Sequence, residues 1–93
     1  MKKNQKWILI LYIAGQTPRC IEALHNLKLI CKESFPGKYQ IKIVDLLKHP
    51  QLAQDHQIVA IPTVIRQLPK PIKKAIGDLS DKERVIVGLE MRR

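Results

Sequence analysis

Trp7-Ile8-Leu9-Ile10-Leu11-Tyr12-Ile13, then Ala14-Gly15-Gln16 and Thr17-Pro18, is the stretch that decides the architecture. Its first seven residues are a continuous apolar run rich in aromatic and β-branched side chains, the pattern of a strand covered on both faces. Gly15-Gln16 turns the chain. Thr17 offers an N-cap hydroxyl, and Pro18 suits the first helical position because its missing N–H has no partner there anyway. A helix is therefore predicted from Pro18. Cys20, Leu24, Leu27 and Cys31, flanked by Ile21, Ala23 and Ile30, recur at helical spacing, while Arg19, Glu22, Asn26, Lys28 and Lys32 can face water. Pro36-Gly37 marks the end.

Downstream, Tyr39 to Val44 alternates as a second strand, and a strand–helix–strand unit makes parallel pairing the default. Pro50 to about His56 reads as a short helix. Ile58 to Ile65 carries strand-forming residues around Pro62, which has no ladder donor and belongs at a strand start or tight turn. Leu68-Pro69-Lys70-Pro71 breaks the chain, and Ile72 to Ile76 can return antiparallel to Thr63 to Arg66. Ser80-Asp81-Lys82-Glu83 has the form of a capping box in which Ser80 and Glu83 satisfy orphan amides reciprocally, so a last helix is expected. Yet Arg84-Val85-Ile86-Val87-Gly88-Leu89 is β-branched and holds a glycine, which is strand-like chemistry. The C-terminal segment is ambivalent between the two.

The chain has 93 residues, 45% of them hydrophobic, which fits a single domain over residues 1–93. Seventeen Lys and Arg against eight Asp and Glu leave a formal charge of +9, which suggests an acidic partner surface, a nucleic acid or an anionic membrane, and charge alone does not choose among them. The apolar run at Trp7 to Ala14 is far short of the roughly 20 residues of a membrane span, and no small-residue cleavage site follows it. A cytoplasmic location is expected. Cys20 and Cys31 on one helix would lie about 16 Å apart, beyond the reach of a disulfide. Four aromatic residues spread over separate elements give no stacking platform for nucleic acid. His25, His49 and His56 lack metal-ligand spacing. No metal, cofactor or catalytic triad is predicted.

The order βαβαββα, with Thr17-Pro18-Arg19-Cys20 after the first strand and Ile61-Pro62-Thr63 before the third, is similar to a thioredoxin-like domain, in which Pro62 would be cis. Redox members use a C-x-x-C pair whose first thiolate attacks. Here Thr17 holds that place, leaving a small thiol protein using Cys20 as the alternative reading.

More specifically, the chain resembles the KaiB family of bacterial clock proteins. The residues are Leu11 to Pro18, Phe35-Pro36-Gly37-Lys38-Tyr39, Lys42 to Ala53, Pro62-Thr63, Leu68-Pro69-Lys70-Pro71, and Ile76 to Glu83 through Gly88-Leu89. The resemblance implies a binding protein without catalysis whose partner is KaiC, a hexameric two-ring ATPase and kinase, in a circadian or simpler timing or stress module. It also implies a metamorphic chain: a resting homotetramer, a dimer of dimers with a βαββααβ fold, exchanging with a thioredoxin-like βαβαββα monomer that binds. Gly88 and Glu90 would bias that switch. Lys42, Arg66, Lys73 and Lys74 are the expected contacts to an acidic surface, from basic family positions and the acid-free stretch His56 to Gly77. Glu22 and Gln40 join them as contact positions where the family commonly has a basic and a small residue.

Overall fold

The structure, a computed structural model, describes residues 6–91. Its elements are β1 (Trp7–Ile13), α1 (Pro18–Ser34), β2 (Tyr39–Asp45), a 3-10 helix (Pro50–Gln54), β3 (Thr63–Leu68), β4 (Lys73–Ile76) and α2 (Lys82–Gly88). The sheet runs β2-β1-β3-β4. β1 and β2 are parallel, and the other two pairings are antiparallel.

The long apolar run becomes a central strand because it has two faces to bury. Leu9 and Leu11 enter a cluster with Ala23, Leu27, Ile30 and Cys31 of α1, Val64 of β3, and Val85 and Leu89 from the C-terminal segment. Ile10 and Tyr12 point the other way, meeting Ile65, with Val44, Leu46, Ile58 and Ile61 around them. Both helices therefore pack on one face, and the 46–61 connection covers part of the other. Each fully buried leucine contributes roughly 1.5–3 kcal/mol by leaving water.

α1 starts where the sequence places it. Thr17 is extended, and its Oγ1 accepts the amide of Cys20 at 3.2 Å. The helix ends as Phe35 donates its amide to Cys31 O at 2.8 Å, before Pro36. Gly15 has a φ of +75°, and a Cβ there would come within 3.0 Å of Leu47 Cδ1, so conformation and space both require glycine. Ile61-Pro62 is cis, and buried Pro62 stands just before β3.

Four expectations need correction. The strand-forming residues Ile58 to Pro62 are not strand; β3 begins at Thr63, and the apolar side chains of Ile58 and Ile61 instead cover the sheet. The short helix is a 3-10 turn ending at Gln54. Ile21 is more than half exposed, leaving Ala23 and Ile30 to complete the buried face. Ser80 is not the N-cap of α2: Asp81 is, its Oδ1 accepting the amide of Arg84 at 3.2 Å. Ser80 is held upstream, its own amide donating to Asp78 Oδ1 at 3.0 Å. Glu83 accordingly lies in the first turn, where its charge favours the helix dipole.

Candidate functional site

The strand register sorts the predicted contact residues onto two faces. Lys42 pairs with Ile10, Ile10 with Ile65, and Ile65 with Lys74, so the two lysines close opposite ends of one row across the sheet. With strands about 4.8 Å apart, their backbones stand about 14 Å from each other. Gln40, opposite Ile8, lies on the same face one pleat away. Lys42, Lys74 and Gln40 are exposed. Lys74 Nζ reaches Gln57 O at 3.3 Å, near the connection that covers this face.

Lys73 is in the other row. It pairs with Arg66, which lies opposite Leu9 on the helix-covered side, and its Nζ meets Glu90 Oε2 at 3.1 Å. Glu22 is exposed on α1. The structure thus joins Lys42, Gln40 and Lys74 and separates Lys73 and Glu22 from them.

Arg66 is not a surface contact. It is only 3% exposed. Its Nη1 donates to Leu89 O at 2.9 Å and Glu90 O at 3.3 Å, and Nη2 donates to Pro71 O at 2.7 Å. The guanidinium carbon lies 5.3 Å from the Trp7 ring centroid, and Trp7 stacks on Phe35 with centroids 4.0 Å apart. A charged residue in a basic stretch reads as solvated in sequence; its burial follows from β3 being an interior strand whose helix-facing row meets the end of α2.

The place where a redox pair would stand has no available thiol. Thr17 Oγ1 is the cap of α1, and Cys20 lies buried behind it. Cys31 is buried too, and desolvation pushes its thiol up to about 12. Nearby, a groove of about 560 Å³ lies between the start of α1, the end of β4 and α2, its lining including Arg19, Arg84 and Gly88. Hydrogen bonds from the Ser80 hydroxyl and amide, with the Arg19 charge behind them, hold the Asp78 carboxyl below the usual range.

Two more residues order this end of the molecule. Asp45 Oδ1 accepts the amides of Gly15 at 3.0 Å and Leu47 at 2.9 Å, and Asn26 Nδ2 donates to Asp78 O at 2.9 Å. Neither is singled out by sequence pattern, although an aspartate ending an apolar strand is a known turn former.

Comparison with known proteins agrees with this geometry. A KaiB domain model matches residues 10–91. The chain is 47% identical over 91 residues to the circadian clock oscillator protein KaiB of Nostoc punctiforme, covering 98% of this chain and 88% of that one. It is 46% identical over 91 residues to the KaiB of Synechococcus elongatus, covering 98% and 89%. Among solved structures, the N-terminal domain of Synechococcus elongatus SasA superposes with a TM-score of 0.77 at 18% identity, covering 100% of this chain and 91% of that one. Chloroplastic thioredoxin z gives 0.70 at 17% identity, covering 94% and 79%. The last two establish the thioredoxin-like fold, and the first three the lineage: the chain belongs to the KaiB family of clock regulatory proteins.

Proposed function

We propose that this chain, a single domain over residues 1–93, is a non-catalytic regulator that binds a KaiC-type hexameric ATPase and kinase in the cytoplasm, in a circadian or simpler timing or stress module. The observation that carries this reading is its identity of 47% to a clock oscillator protein across 98% of its length. The thioredoxin-like arrangement is the binding form. A resting homotetramer with the βαββααβ fold stores it, and conversion between the two delays binding, because a scarce competent state lowers apparent affinity in proportion to its population.

Docking uses the sheet face opposite the two helices, part of which the 46–61 connection covers: Lys42 and Lys74 supply positive charge at its two edges and Gln40 an uncharged neighbour. Lys73 and Glu22 tune the approach from the other side, and Gly88 and Glu90 bias the switch. The reading through Cys20 has no geometric support, since its sulfur is buried and Thr17 is occupied as a cap.

The test is size-exclusion chromatography with light scattering, on the protein alone and after overnight incubation with the KaiC-type ATPase of the same genome plus ATP. A tetramer converting slowly into a large complex is expected, with K42E/K74E weakening the complex by at least about tenfold through lost charge complementarity. A tetramer that never binds refutes the KaiC reading, and undiminished binding by the double variant refutes the docking face.

A further inference from the structure

We propose that the outer edge of β4 is a strand-addition site for an extended segment of a partner protein, one with an acidic side chain between two apolar ones at alternate positions. The proposal concerns the edge of the sheet and is independent of the KaiC reading, because peptide binding to this chain alone tests it.

β4 is the last strand in the order β2-β1-β3-β4, so one side of its backbone has no neighbouring strand. Which groups it leaves open follows from the register. Gly77 donates its amide to Pro62 O at 2.9 Å, one step beyond the Thr63–Ile76 pair. Hydrogen-bonded and non-bonded pairs alternate along an antiparallel ladder, so Ala75 bonds Val64 and Lys73 bonds Arg66. The N–H and C=O groups of Lys74 and Ile76 therefore point outward, and nothing among the described residues bonds them.

The side chains of those same residues set the specificity. Lys74 and Ile76 lie on the face away from the helices, because they pair with Ile65 and Thr63, which stand opposite Ile10 and Tyr12. Both are exposed, and so is Ile72, two residues before Lys74. The edge thus presents apolar, basic and apolar side chains at a spacing of two. In strand addition, main-chain bonds give affinity and alternate side chains give selectivity. A segment laid along β4 places one side chain opposite Lys74 and its neighbours two positions away beside Ile72 and Ile76. The residue matched to Lys74 is acidic, since residues 56–77 hold Arg66, Lys70, Lys73 and Lys74 and no Asp or Glu. Lys73 is paired with Glu90 on the other face, whereas Lys74 bonds only the Gln57 carbonyl and has no counter-charge among the described residues. A second copy of this chain is the wrong occupant. Antiparallel pairing centred on Lys74 sets Lys74 against Lys74, and like charges directly opposite repel.

NMR on the unmodified protein tests the edge first: the amides of Ala75 and Gly77 should exchange slowly and those of Lys74 and Ile76 quickly. A short capped peptide centred on Val-Thr-Glu-Thr-Val should then shift the Lys74 and Ile76 amides and slow their exchange, by about tenfold when it is present at ten times its dissociation constant. The same peptide with Lys in place of Glu should bind at least about fivefold more weakly, and one N-methylated on the amides that face β4 should not bind. On the protein side, K74E should reverse the preference between the charged peptides. I76P deletes an outward donor while sparing the β3 ladder, and it should weaken binding with Ala75 still protected. Equal binding of the two charged peptides overturns the proposal, as does binding of the N-methylated peptide or undiminished binding by I76P. No binding at all would leave Lys74 only as a guard against edge pairing and overturns it too. Should either variant not fold, the three peptides on the unmodified protein still decide.

Discussion

Asp45 Oδ1 accepts the amide of Gly15 from 30 residues away, at 3.0 Å, tying the turn after β1 to the end of its parallel neighbour β2. The same oxygen accepts Leu47 N at 2.9 Å. One carboxylate therefore shapes both chain exits at this end of the sheet, and Gly15 can serve there because its φ is positive.

These bonds make acid stability depend on Asp45. The amides of Gly15 and Leu47, helped by the charges of Lys48 and His49, hold its carboxyl below the usual range. A depressed native pKa means the unfolded state binds the proton more readily, so the contribution is full above about pH 3.9 and is lost as pH falls through the native value. D45N keeps an acceptor and removes the charge. Its stability deficit in urea, clear at pH 6, should shrink toward pH 3; a deficit that stays constant with pH would contradict the assignment.

Thr17 is used as a cap, so its replacement reads out in stability. T17A removes the acceptor of the Cys20 amide and should lower stability by about 1 kcal/mol. T17D keeps a cap and adds charge to a first turn that has no acidic residue, raising stability above T17A and, through the dipole, above the unmodified chain by about 0.3–1 kcal/mol. Urea midpoints check the order. T17A equal to the unmodified protein would show that the bond contributes nothing.

Both thiols should be silent in the native protein. Cys20 and Cys31 are buried, and Cys31 titrates near 12. A disulfide-exchange reagent at pH 8 should find no rapidly reacting thiol until guanidinium unfolds the chain, and then two. Fast native modification of Cys20 would restore the thiol reading.

Local pattern made most of the fold legible. The Trp7–Ile13 run, the Thr17-Pro18 start, the Tyr39 strand and the returning hairpin at Ile76 each depend on neighbours a few residues away, and the structure has all of them. Side-chain competition and long-range register were not legible. Ser80 and Asp81 are both good caps, and the outcome turned on Asp78 capturing the Ser80 amide. Arg66 looks like any basic surface residue until β3 is known to lie between β1 and β4. The two-sided division of Lys73 and Lys74 likewise requires the pleat of β4, although their alternation was available in principle. Resemblance to the KaiB family added what no pattern holds, an expectation of the partner class.

Gly88 closes α2 in a conformation any residue adopts, and a Cβ built on it meets nothing within 4 Å. Alanine there brings no clash and no strain, and it replaces a poor helix former with the best, worth up to about 1 kcal/mol and less at a helix end. The gain accrues only to the arrangement in which residue 88 is helical. If the resting tetramer uses the segment otherwise, G88A should raise the monomeric, thioredoxin-like fraction by as much as about fivefold. Size-exclusion profiles and NMR spectra of the 82–91 amides measure both sides of that exchange. An oligomer distribution and spectra identical to those of the unmodified chain would mean that α2 propensity does not set the balance, leaving the tertiary contacts of Arg66 and Glu90 to set it.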